Sequence, residues 1–222
     1  MQGVAGLGWQ PQTGGVRERG EARGWRLPSA YASHQGLARF ALWFESTDRH
    51  THWHCERVAR YASEVASALR LDEAGVAAVQ LGAYLHDVGK IRVPQDILNK
   101  PGRLTAAEFD VMKLHPVWAL DMLEGVELPI EVRAGIRSHH EKRDGSGYPD
   151  GLRDEEIPQL AAIIGIADVY DALTSSRSYR PAMSIRATMV LMHARRSWWM
   201  PDVYAAFLRA AAGRAQAHDA VA

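Results

Sequence analysis

Residues 72–90 read DEAGVAAVQLGAYLHDVGK, and the rest of the chain is best read outward from this stretch. Asp72 is placed to cap a helix, because its side-chain oxygen can accept from the unpaired N–H groups of the first turn. The segment behind it is apolar and is expected to end near Val88-Gly89, where glycine suits a helix C-terminus. At that end an imidazole and a carboxylate, His86 and Asp87, stand side by side. A charge at the end of an apolar helix needs a partner or a metal. A hydrogen-bonded His–Asp pair at a helix end would account for the dipeptide if it stood alone.

From residue 34 onward, long segments of helical spacing alternate with short breaks, and no period-two pattern appears. The expected fold is all-α. One helix is expected over about 35–45 and a second over about 48–69, with Val58, Tyr61, Ala62, Val65 and Leu69 as its apolar stripe. Thr105 and Glu108 form a capping box for a fourth helix reaching about residue 123. A fifth follows Pro129, and a polar loop punctuated by glycine and proline covers 141–158. Pro158 then opens a helix to about residue 174. Two more, near 184–195 and 202–212, complete the bundle.

Residues 1–33 hold seven of the nineteen glycines and no periodic apolar face, so they are expected to form a disordered arm. The domain is expected over 34–210, with a C-terminal tail over 211–222. The N-terminus lacks the charged start and apolar run of a signal peptide, which places the expected location in the cytoplasm. The longest apolar run, 160–167, is too short to span a bilayer.

The chain of 222 residues balances 26 Lys and Arg against 26 Asp and Glu. That neutrality argues against holding a nucleic acid polymer or an anionic membrane by bulk electrostatics. The single Cys55 excludes a disulfide framework and every cysteine-rich zinc site, whereas ten histidines are present. Any metal chemistry must therefore use nitrogen and oxygen donors.

Such donors recur at helical positions. His54 lies in the second helix, His86 and Asp87 end the third, His115 lies in the fourth, His139 and His140 end the fifth, and Asp168 interrupts the most apolar stretch. One polar residue on an apolar face is usually a hydrogen-bonded core residue. Seven of them on five helices are hard to satisfy in pairs without a metal. Seven ligands also exceed one tetrahedral site, so the count favours two divalent ions with a carboxylate between them and positions left for water. Histidine and carboxylate donors without thiolate suit iron or manganese best, with zinc, nickel and magnesium as alternatives.

This constellation resembles the HD-GYP family of cyclic di-GMP phosphodiesterases. The motifs that carry the resemblance are DRHTHWHCERV at 48–58, LHDVGKIRVP at 85–94, residues 99–104, His115-Pro116, HHEKRDGSGYP at 139–149 and IADVYDALTSSRSYR at 166–180. The resemblance implies an HD-domain helical bundle with a binuclear metal site in its core. His54, His86, Asp87 and Asp168 would hold one ion, and Asp87 would bridge to a second held by His115, His139 and His140. Lys90 would touch the substrate phosphate, as would Arg177 and Arg180, which could also reach guanine. The 144–149 loop would shape the site and serve protein contacts, with Tyr148 outside the chemistry.

The second helix departs from the family pattern, which commonly reads Asp-Pro-Tyr-Thr-x-Gly-His. Here it reads Asp48-Arg49-His50-Thr51-His52-Trp53-His54. Some members bind a third metal through a residue one turn before the first histidine, the place of His50, but two ions are the expectation here. The implied activity is hydrolysis of cyclic di-GMP to pGpG, and onward to GMP, by a hydroxide bridging the two ions. The alternatives are an HD-type phosphohydrolase acting on dNTPs or (p)ppGpp, and a cyclic di-GMP receptor or scaffold of weak activity.

Overall fold

In a computed structural model that describes residues 28–31, 35–176 and 181–219, every regular element is helical. The all-α expectation holds, and the one β-type contact among the described residues is an isolated bridge between Asp144 and Arg153. Ten α-helices run in order: α1 Gln35–Thr47, α2 Arg49–Ala68, α3 Glu73–Leu85, α4 Gln95–Leu98, α5 Ala106–Met112, α6 His115–Met122, α7 Ile130–Ser138, α8 Gln159–Thr174, α9 Ile185–Ala194 and α10 Pro201–Asp219.

The caps follow from side-chain chemistry. The Asp48 side chain accepts from Thr51 N–H at 3.0 Å and opens α2, and Asp72 accepts from Gly75 N–H at 2.8 Å and opens α3. Thr105 and Glu108 form the expected reciprocal box at the head of α5.

Four expectations need correction. Helix α3 stops at Leu85 and gives way to a 3-10 turn at Val88–Arg92, short of the expected Val88-Gly89 end. The single helix expected to reach residue 123 is two helices, α5 and α6, broken at Lys113 and Leu114. Pro116 has no N–H, and its ring excludes the carbonyl four residues back, that of Met112, from helical bonding. Helix α10 runs on to Asp219, past both its expected end near 212 and the start of the tail expected at 211. Alanine-rich sequence sustains it, and Arg214 pins it at 4.9 Å over the rings of Tyr61 and Tyr170 and against Glu64. Finally, Pro28 is buried, and the 3-10 turn Ser29–Tyr31 packs beside α3, so this part of the expected arm is structured. The rest of that arm, 1–27 and 32–33, lies outside the described residues.

The core is a bundle of α2, α3, α7 and α8, with α10 laid against α2 and α8. Helix α2 buries Val58, Ala59, Ala62, Val65 and Ala66, and α8 buries Leu160–Ile164, Ile166 and Ala167. Two glycines bring the chemistry-bearing elements together. A Cβ on Gly89 would lie 2.0 Å from the His115 carbonyl oxygen, and one on Gly165 would lie 2.4 Å from that of His139. The turn after α3 therefore touches the backbone of α6, and α8 touches the end of α7. Among the described residues no helix is long and apolar enough to cross a membrane.

Candidate metal centre

All seven donors expected from the sequence converge on one buried point. His54 comes from α2, His86 and Asp87 from the end of α3, His115 from the first position of α6, His139 and His140 from the residues after α7, and Asp168 from α8. They form two groups that share Asp87. Ligand atoms of Asp87, His115, His139 and His140 lie within 4.8 Å of one another, as do those of His54, His86 and Asp87. Asp168 Oδ1 is 3.1 Å from His54 Nε2. The Asp87 carboxylate divides between the groups. Its Oδ2 is 3.5 Å from His54 Nε2 and 3.4 Å from His86 Nε2, while its Oδ1 is 3.2 Å from His115 Nε2 and 4.0 Å from His139 Nε2.

The ring orientations come from where the helices stop. Helix ends leave carbonyls unpaired, and three histidines use them: His86 Nδ1 lies 2.6 Å from Ala83 O, His115 Nδ1 2.8 Å from Met112 O and His139 Nδ1 2.7 Å from Ile136 O. A carbonyl only accepts, so each Nδ1 donates and each Nε2 turns a lone pair inward. His54 is oriented differently, with Nδ1 2.7 Å from Asp171 Oδ2. Arg57 grips the same carboxylate through Nε at 2.7 Å and Nη2 at 3.0 Å.

This arrangement fits divalent ions. His54 Nε2, His86 Nε2 and Asp87 Oδ1 are buried and make no well-aligned hydrogen bond, their near neighbours being the other donors of the centre. The Nε2 atoms of His115 and His139 face each other at 3.3 Å as two lone pairs, a contact that repels unless a cation joins them. Ligands about 2.1 Å from a metal lie roughly 3.0–3.5 Å apart, the range of most distances here.

A family model described as HD domain matches residues 43–203. The chain belongs to the HD domain family. Its resemblance to the HD-GYP members of that family also holds. It is 43% identical over 183 residues, 81% of its length, to the cyclic di-GMP phosphodiesterase response regulator RpfG of Xanthomonas campestris, and spans 48% of that protein. It is 39% identical over 141 residues, 61% of its length, to the 3'3'-cGAMP-specific phosphodiesterase 2 of Vibrio cholerae, and spans 26% of that one. The chain thus spans at most about half the length of these curated relatives. The solved structure of Bd1817, a HDG"Y"P protein from Bdellovibrio bacteriovorus, superposes with a TM-score of 0.58 at 22% identity, covering 70% of this chain and 50% of the other, and shares its fold.

The charge pattern of this HD-domain centre is uneven. Burial opposes an imidazolium at His54, but Asp168, Asp171 and Asp87 outweigh it and raise the group to about 10. Burial lowers His86, holds His139 well below its ordinary value and, with His115 nearby, brings His140 down to about 3. Burial alone would raise Asp87, yet Lys90, with Nζ 2.5 Å from Oδ2, and the surrounding histidines hold it well below the carboxylate range. Asp168 is lowered likewise, burial being overcome by His54. Asp87 and Asp168 are therefore ionised, and His86, His139 and His140 are neutral, the state in which histidines bind metals.

Around the centre of this HD domain, Tyr148 stacks on His140 at 4.6 Å between ring centroids. Its loop is held by Glu141, a buried carboxylate that accepts from the N–H groups of Asp150, Gly151 and Leu152 at 2.7–3.1 Å. Trp53 is 51% exposed, so it points away from the core. Cys55 is buried, and burial pushes its thiol well up, in keeping with a small packing residue. Arg177 and Arg180, and the side chain of His50, lie outside the described residues. Sequence reasoning missed Asp171, Arg57 and Glu141. A signal for Asp171 was its place three residues after Asp168, on the same side of α8.

Proposed function

We propose that this HD domain hydrolyses cyclic di-GMP to pGpG, and onward to GMP, at a centre of two divalent ions. The observation that carries this reading is the Asp87 carboxylate, whose two oxygens point to two separate sets of histidine nitrogens. His54, His86, Asp87 and Asp168 hold one ion, and Asp87, His115, His139 and His140 hold the other. Iron or manganese suits these donors best, and His50 adds no third ion. When bound, two such ions supply an activated water at neutral pH and neutralise phosphoryl oxygens.

The chain's own residues do the rest. The Asp87 oxygens keep the two halves in register. Lys90 sits over Asp87 with its side chain partly exposed, within reach of a phosphate oxygen entering the site. Arg177 and Arg180 follow Asp168 on the same segment and serve as phosphate or guanine contacts. The names of both curated relatives, one for cyclic di-GMP and one for cyclic GMP-AMP, support a cyclic dinucleotide as substrate. The second of them favours cyclic GMP-AMP as a further substrate. We place the enzyme in the cytoplasm, with the 144–149 loop as its surface for protein partners and no role in binding nucleic acid polymers or membranes.

The test is anaerobic purification with metal quantification, then product analysis on cyclic di-GMP, cyclic GMP-AMP, dNTPs and (p)ppGpp. Linear dinucleotide from a cyclic substrate is the expected result. Turnover of dNTPs or (p)ppGpp alone would make the protein a mononucleotide phosphohydrolase. Cyclic di-GMP binding without hydrolysis, unchanged in Asp87→Ala, would make it a receptor.

A further inference from the structure

The four oriented histidines are not held alike. His86, His115 and His139 donate to backbone carbonyls, whereas His54 donates to the side-chain carboxylate of Asp171. That carboxylate is fully buried, and it also accepts two hydrogen bonds from Arg57, a half-exposed residue three positions after His54 on α2, one of them on the oxygen that His54 meets. A surface ion pair would leave the Asp171 carboxylate facing solvent. Here it faces a ligand ring. A carboxylate behind a metal-binding imidazole fixes its tautomer and raises its basicity. The two halves also differ in their own charge, since His54 and His86 share theirs with Asp168 and Asp87, while His115, His139 and His140 have only Asp87.

We propose that Asp171, held by Arg57, is a positioning residue for His54 that gives the His54–His86–Asp87–Asp168 half the tighter grip, so that the centre fills in a fixed order with this half first. The inference rests on the two-ion reading above. Neither Asp171 nor Arg57 touches substrate in it; both act through His54.

The experiment titrates metal-free full-length protein with Mn2+ and with Zn2+, reading stoichiometry and affinity directly. Wild type is expected to show two classes of site. Asp171→Asn should weaken the tighter class by about 10–100-fold and leave the weaker class as it was. In the Zn2+ form, the imidazole nitrogen resonances of His54 should shift while those of His115 and His139 stay in place, a signature that a general loosening of the fold would not produce. Arg57→Gln, at a half-exposed position, should weaken the same class by less. An unchanged tight class in Asp171→Asn, or equal weakening of both classes, would overturn the proposal. Should Asp171→Asn lack a cooperative melt, Arg57→Gln decides, and an unchanged tight class there overturns it. If wild type saturates with one ion, it is the two-ion reading that fails.

Discussion

Asp87 is the residue on which both halves of the centre depend. Its carboxylate is buried at 1% exposure, and its oxygens face Nε2 atoms of His54 and His86 on one side and His115 and His139 on the other. Asp87→Ala should therefore cost both ions at once, and metal analysis of the purified variant checks this. Retention of one ion would show that the carboxylate belongs to a single half. Lys90 is the contrasting case, because its amino group lies against Asp87 but is not a donor for a cation. Lys90→Ala should keep both ions and lower kcat by roughly 10²–10³-fold, the scale of removing one group that meets developing charge. Loss of metal in that variant would mean that Lys90 serves Asp87 rather than substrate. At this scale the seven residues that converge could be picked out in the sequence because each is of a ligand type and lies within an apolar helix or at its end. Asp171 could not, because what makes it matter is a hydrogen bond to a residue 117 positions away.

Helix ends do more for this site than helix middles. Helix α3 stops so that His86 takes the Ala83 carbonyl, and α5 breaks so that His115 takes that of Met112. The periodic apolar pattern over 105–123 did not reveal the break, since an apolar stripe continues across both short helices. The one local mark of it was Pro116, which acts on a carbonyl four residues earlier. The true length of α10 was hidden for another reason, as its last turns are alanine-rich and lack an apolar stripe to extrapolate. Glu141 looked like part of a polar loop because its partners are backbone N–H groups nine to eleven residues on, which no side-chain pattern encodes. The contact between the turn Val88–Arg92 and α6 gives an element-scale prediction. A methyl group on Gly89 would overlap the His115 carbonyl, so Gly89→Ala must push α6 away from Asp87. It should cost about 1–3 kcal/mol in a urea unfolding curve and weaken the ion held by His115, His139 and His140 more than the other. Wild-type stability together with wild-type metal content would show that α6 can shift without strain.

The charge balance of the whole chain conceals a centre whose protonation and metal loading oppose each other. In the metal-free protein His54 is raised from 6.5 to about 10 against burial, by Asp168, Asp171 and Asp87. A raised histidine contributes stability that is fully present below 6.5 and is lost as pH rises through about 10. His86, His139 and His140 are lowered by burial, His140 to about 3, so their contribution is present above 6.5 and is lost as pH falls below it. The metal-free protein should thus melt highest near neutral pH and lose stability on both sides. A bound cation reverses the alkaline limb, because it replaces the His54 proton and competes with fewer protons as pH rises. Each ion present at about 100 times its dissociation constant adds about 2.7 kcal/mol. For a domain of this size that raises Tm by roughly 5–10 °C. Melting curves with excess Mn2+ and with chelator, taken across the neutral to alkaline range, should therefore diverge as pH rises. Parallel curves, or a metal-free Tm that climbs above neutral pH, would mean that His54 does not hold the proton that the metal must displace.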